Sequence, residues 1–285
     1  MAPNTRQAYS VGIGTFESFC IAQKISKSWP PSTQTLAKFI AYLSIHNYSA
    51  STARSYISAI SFKCKSELLE DTTKHFIVNK LLEGFRRSKP SQDQRLPITL
   101  DILDRIISIL PIICKTAYES CLFSSASTLA FHAFLRVGEF TTAAKYTQNS
   151  IINLADIHLF PSHINLHIRA SKTDQHGRGT TIVLNATKKP SCPVKWISEF
   201  LEIRPAIPGP LFCHVNGSPL TRYQFVTILD KSIKALGLNQ QRFKSHSFRI
   251  GAASSAALLG IPDDQIQRAG RWKTATFKNY IRSPF

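Results

Sequence analysis

Five short stretches of the chain carry side chains whose types and spacing suit phosphate chemistry. In Phe134-Leu135-Arg136-Val137-Gly138-Glu139-Phe140 a guanidinium sits among large apolar residues, where an always-charged group is costly to bury unless it meets an anion or a carboxylate. Glu139, three residues on, is placed to orient it; the pair reads equally as an internal ion pair with no ligand. His246-Ser247-Phe248-Arg249 opens a helix, and its i,i+3 spacing puts imidazole and guanidinium on one face, about 5 to 6 Å apart at Cβ. With the amides of a helix start they can grip a phosphate; alone, the string also suits a surface pair. Ala269-Gly270-Arg271-Trp272-Lys273 ends a helix at a glycine, and Tyr280 follows between Lys278 and Arg282. A phenol of ordinary pKa, about 10, attacks phosphorus only where cations stabilise the developing charge. The plainer role for such a tyrosine is packing. Lys172, in Ser171-Lys172-Thr173-Asp174, stands at a hairpin tip, where a long side chain either reaches a bound ligand or stays in water.

These residues need rigid elements to hold them. The first part of the chain spaces apolar residues helically: Tyr9, Ile13, Phe16 and Cys20; Leu36, Phe39, Ile40 and Leu43; Ala53, Tyr56, Ile57 and Ile60; Phe76, Ile77 and Leu81. That predicts four short helices, broken at Trp29-Pro30-Pro31, with Ser32 and then Ser49 or Ser51 as N-caps. The polar, proline-bounded stretch from Ser88 to Pro97 reads as a linker. Residues 1–90 then form a helical domain, 91–97 a connection and 98–285 a second domain. In that second domain helices are expected over Asp101 to Leu110 and over the long, largely apolar segment from Thr116 to Leu135. Ile164, Leu166 and Ile168 then alternate with Asn165, His167 and Arg169, and Thr181 to Leu184 follows a glycine-containing turn, which predicts a small antiparallel sheet. Helical spacing returns at Phe225, Leu229 and Ile233 and over Phe248 to Leu259, each ended by a glycine. The fold class is mainly α with a small antiparallel β-sheet.

With 285 residues and 43% hydrophobic content the chain can bury real cores, and 35 Lys+Arg against 17 Asp+Glu give a net charge of +18. Such a surplus most often answers a polyanion, nucleic acid above all. No run of about 18 apolar residues is present, which excludes a membrane-spanning helix. The polar start, Met1 to Tyr9, lacks a secretory signal pattern, so an intracellular protein is expected. Cys20, Cys64, Cys114, Cys121, Cys192 and Cys213 are scattered without zinc-type spacing and read as reduced thiols. No spaced acidic triad supports a metal-dependent nuclease; Asp263-Asp264 after Pro262 suits a helix start.

In order along the chain, Arg with Glu, a hairpin Lys, H-x-x-R, G-R-W and a late Tyr resemble the catalytic domain of the tyrosine recombinases, the phage-type integrases. Ala50 to Lys65, ASTARSYISAISFKCK, is similar to their helical core-binding domain, so the likeness covers both domains, the second being α+β. LRVGEF, SKTDQ, HSFRIGAAS and GRWKTATFKNYIR look most like recombinases of eukaryotic mobile elements, which implies a nuclear location. The resemblance implies that Arg136 and Arg249 bind the scissile phosphate, that Tyr280 forms a 3′-phosphotyrosyl bond, that Lys172 protonates the leaving 5′ oxygen, that His246 takes a proton or holds the phosphate, and that Glu139 supports Arg136. It implies no cofactor and no metal, with double-stranded DNA as substrate and a dimer or tetramer on paired sites.

This sequence departs from the family pattern in two places. The family has His or Trp directly after the glycine, nine positions before the tyrosine; Arg271 holds that place here and Trp272 comes one later. Arg271 is the better alignment and Trp272 the alternative. The sequence also stops at Phe285, five residues after Tyr280, where relatives continue into a segment that docks on a neighbour. Two rival readings are a type IB topoisomerase, which rejoins the same strand, and a domesticated DNA-binding protein that has lost turnover.

Overall fold

In the first part of the chain the expected helical periods produce helices α1 (Pro3–Ala22), α2 (Thr33–Ile45), α3 (Ala50–Ser66) and α4 (Phe76–Ser88). The computed structural model describes residues 1, 3–90, 93–142, 151–169 and 179–282. Ser32 Oγ accepts the Thr35 amide at 3.1 Å and Ser49 Oγ that of Thr52 at 3.0 Å, which makes Ser49 rather than Ser51 the cap of α3 and satisfies an otherwise orphaned donor at each helix start. Phe16, Phe39, Leu43, Ile57 and Ile60 close around one core. On α4 the expected face is wrong. Phe76, Ile77 and Leu81 are 69%, 48% and 39% exposed, and Val78, Leu82 and Phe85 are buried instead. At about 100° per residue those three lie within about 60° of one another, whereas Ile77 points roughly 100° away from Val78. A helix buries its tight apolar arc, here that of Val78, Leu82 and Phe85.

Contacts divide the chain into two compact units, Met1–Asp93 and Gln94–Phe285. The second unit is built around α6 (Ala117–His132), which packs against α5 (Leu100–Ile113), α8 (Pro193–Ile203) and α10 (Ser247–Leu258). Almost all of α6 is buried, including Ser124, Ser125 and Thr128. Two of these hydroxyls are tolerated there because Ser125 Oγ donates to Trp196 O at 2.6 Å and Thr128 Oγ1 to Ser124 O at 3.0 Å, whereas Ser124 Oγ is buried without a hydrogen-bond partner among the described residues. Helix α9 (Arg222–Ala235) completes the packing on α5. At α10, Gly251 leaves room for the backbone of Ile98, whose amide donates to Ser247 O at 3.0 Å.

The alternating segment forms an antiparallel sheet in the order β1 (Ile157–Leu159), β2 (His163–Ile168), β3 (Thr180–Asn185). Leu166 pairs with Ile182, and Ile164, Leu166 and Ile168 face the core, as period-2 patterning requires. Ser171, Lys172, Thr173 and Asp174 lie outside the described residues. Cys20, Cys64, Cys192 and Cys213 are buried, Cys114 and Cys121 half-buried, and all six are free thiols. Among the described residues no helix is long and apolar enough to cross a membrane.

Candidate active site

The segment expected to be helical up to Leu135 instead leaves the helix at His132. Phe134 takes a φ of 50°, and the Leu135 amide turns back to Ala130 O at 2.9 Å. That turn brings Arg136 to the N-cap of α7 (Val137–Phe140), a single helical turn. Glu139 holds Arg136 twice: Oε2 accepts its amide at 2.9 Å and Oε1 accepts Nη1 at 3.1 Å. The internal ion pair expected from sequence is therefore real, yet Arg136 is still 23% exposed, so one side of the guanidinium remains open to a ligand.

Arg249, on the first turn of α10, is fully buried. Nη1 donates to Phe134 O and Nη2 to Gly270 O, and the guanidinium carbon lies 4.1 Å over the Trp272 ring and 5.7 Å over that of Tyr280. Burial, and then the charges of Arg136 and Arg271, push its pKa down to about 9. Arg271 donates from Nη2 to Glu139 Oε2 at 2.6 Å; burial lowers its pKa too, and the carboxylate opposes the drop. Three guanidiniums thus meet around one carboxylate, a cluster set up to receive an anion. Arg249 Nε and Trp272 Nε1 are buried without a hydrogen-bond partner among the described residues, and buried donors normally have one.

Tyr280 closes the site from a 3₁₀ turn, Ala275–Tyr280, pinned by buried Phe277. Its ring centroid is 4.9 Å from that of Trp272 and 5.0 Å from that of His246. The cations adjacent in sequence point elsewhere: Lys278 pairs with Asp263 at 3.2 Å, and Arg282 donates to Arg95 O. The charge beside the phenol comes instead from Arg249, far away in sequence. Ser254, which sequence reasoning missed, ties the segment down by donating to Tyr280 O at 3.2 Å and accepting the Arg282 amide at 3.0 Å. A cleft of about 500 Å³ opens beside Arg136 and His246, and Arg95, Arg222 and Lys244 also line it. The structure brings Arg136, Glu139, His246, Arg249, Arg271, Trp272 and Tyr280 together; Lys172 falls outside the described residues.

The profile of the Phage integrase family matches residues 98–285, about two thirds of the chain. The chain belongs to the phage integrase family. It is a tyrosine recombinase, an enzyme that breaks and rejoins DNA strands. An integrase/recombinase XerD homolog of Selenomonas ruminantium is 26% identical to this tyrosine recombinase over 294 residues, spanning 96% of the chain and 79% of the relative. Two solved structures share the fold. One is the XerH site-specific recombinase in a post-cleavage complex with palindromic difH substrate, with a TM-score of 0.71 and 16% identity over 96% of this chain and 75% of that one. The other is a lambda integrase dimer bound to a COC′ core site, with a TM-score of 0.65 and 17% identity over 98% of this chain and 72% of that one.

Proposed function

We propose that this recombinase cuts one strand of a duplex by attack of the Tyr280 hydroxyl on a backbone phosphorus. A 3′-phosphotyrosyl bond forms, the 5′-oxygen bond breaks, and Lys172 gives the departing oxygen its proton. Arg136 and Arg249 hold the non-bridging oxygens, and His246 takes the phenol's proton or holds the phosphate. Because the tyrosyl ester keeps the phosphodiester's energy, a 5′ hydroxyl from another strand rejoins it without ATP. The guanidiniums supply the charge stabilisation a metal would otherwise give.

The observation that carries this reading is the position of the Tyr280 ring against a fully buried guanidinium, Arg249, with the His246 ring 5.0 Å from the same phenol ring. The unpartnered Nε1 supports Trp272, rather than Arg271, as the donor at the family's His/Trp place. We assign residues 1–90 as the core-binding domain, 91–97 as the linker and 98–285 as the catalytic domain, acting on double-stranded DNA as a dimer or tetramer on paired sites. The motif forms support an origin in a eukaryotic mobile element and action in the nucleus.

The test is incubation with a nicked target duplex followed by a denaturing gel. A protein band covalently joined to DNA, absent in Tyr280→Phe, is expected. DNA binding without any such band points to a silent binding protein, and rejoining confined to the original strand points to a topoisomerase.

A further inference from the structure

Arg271 stands directly after Gly270 with a φ of 56°, a left-handed conformation uncommon for a residue with a Cβ. The neighbouring glycine is required, because the Trp272 ring folds back over it where a Cβ would sit. This turn sends the two side chains apart. Trp272 goes to Arg249 and Tyr280, while Arg271 runs to Glu139, and both partners of that pair are less than a tenth exposed. Besides its 2.6 Å bond to Glu139 Oε2, Arg271 donates from Nη1 to Ala133 O at 3.2 Å and from Nη2 to Phe134 O at 3.4 Å. It therefore grips, from the far end of the catalytic unit, both the backbone turn that leads into Arg136 and the carboxylate that orients Arg136.

We propose that Arg271 is a positioning residue, a brace that fixes Glu139 and thereby holds the Arg136 guanidinium at the angle at which it meets the scissile phosphate. The inference rests on the roles given above to Arg136 and Tyr280. Helix α7 is four residues long, too short to hold its own geometry without tertiary support. Glu139 Oε1 serves Arg136 while Oε2 is shared between the Arg136 amide and Arg271, so the carboxylate plane is fixed from both ends. A planar fork can satisfy a carboxylate and two carbonyls at once, which an ammonium cannot do in the same geometry. The brace also joins the motif around Arg136 to the turn that presents Trp272 and Tyr280, so the two halves of the site are set in register by one side chain.

Single-turnover adduct formation on a nicked duplex, at saturating protein, tests this, with DNA affinity and thermal unfolding measured in parallel. The variants are Arg271→Ala and Arg271→Lys, each alone and combined with Glu139→Gln. Misplacing a catalytic group by about 1 Å costs on the order of 100-fold, so Arg271→Ala is expected to slow the adduct roughly 30- to 100-fold with affinity changed less than about threefold. Arg271→Lys should recover part of the rate. In the Glu139→Gln background the added cost of Arg271→Ala should shrink below about fivefold, because coupled residues are not additive. The same large factor in both backgrounds overturns the brace and makes Arg271 a direct phosphate contact. Equal losses of rate and affinity, or failure of both Arg271 variants to fold, overturn it in favour of a purely structural pair. A wild type that makes no adduct removes the Tyr280 reading and the brace with it, whereas an adduct with additive variants removes the brace alone.

Discussion

Replacing Arg249 with methionine should abolish most cleavage while leaving the fold nearly as stable. The cation is fully buried, and burial together with the charges of Arg136 and Arg271 lowers its pKa to about 9; at about 1.4 kcal/mol for each factor of ten, holding that charge costs the folded protein on the order of 5 kcal/mol. Methionine relieves this cost and keeps most of the volume. Against it stand two lost bonds, to Phe134 O and Gly270 O, at about 1.5 kcal/mol each for a charged donor. The stacking on Trp272, 4.1 Å away, adds about 2 kcal/mol when desolvated. The two sides nearly cancel, so Tm should move by less than about 5 °C. Cleavage behaves differently, because a preorganised charge donor contributes about 3 to 4 kcal/mol to the transition state, or roughly 10²- to 10³-fold in adduct rate. Differential scanning calorimetry and single-turnover gels on one preparation give both numbers. A fall in Tm above about 10 °C, or an adduct rate within about threefold of wild type, refutes the view that Arg249 is held charged for the reaction rather than for the fold.

Tyr280→Phe removes a hydroxyl and no charge, so the adduct should vanish while affinity for duplex stays within about threefold. Lys172→Ala should cleave an ordinary 5′-oxygen substrate very slowly and recover on a 5′-bridging phosphorothioate, whose sulfur leaves unprotonated; Arg136→Ala should show no such rescue, and rescue of both or neither removes Lys172 as the acid. Adduct formation should fall at alkaline pH, because burial and the charges of Arg136 and Arg271 lower the pKa of Arg249. Folding stability owed to that group moves the opposite way: the unfolded chain keeps the proton to higher pH than the folded one, so the penalty is full at neutral pH and fades as the buried group gives up its proton. A pH profile flat to 10 contradicts this. Chelation with EDTA should leave the adduct yield unchanged.

Much of the site was legible in the sequence because its motifs sit where helices start and stop. His246 and Arg249 stand three apart at the start of α10, and the glycine after Ala269 marks the end of α11 (Asp263–Ala269). The register of Arg271 and Trp272 was not legible. Alignment by counting assumes equal backbone on both sides, whereas one left-handed residue sends one side chain to Tyr280 and the other to Glu139. Proximity in sequence also misled at Tyr280, since the 3₁₀ turn points Lys278 to Asp263 and the effective cation comes from Arg249. Ser254 gave no signal within an Ala/Ser-rich helix, and among 35 basic residues nothing local marked Arg222 or Lys244 as lining the cleft.

The charge balance of the cluster bears directly on how it accelerates the proposed reaction. Arg136, Arg249 and Arg271 around Glu139 leave two positive charges uncompensated. A phosphodiester brings one negative charge; once a phenolate adds to phosphorus, before the leaving oxygen departs, the phosphoryl group carries two. The site therefore matches the addition step more closely than the bound substrate, and only interactions stronger in the transition state raise the rate of the chemical step. Glu139 is essential to that match. Without it three like charges would repel one another and Arg136 would lose its orientation; with a second carboxylate the surplus would equal the ground state and the advantage would disappear. The depressed pKa of Arg249 is the cost of keeping this surplus in place before the substrate arrives.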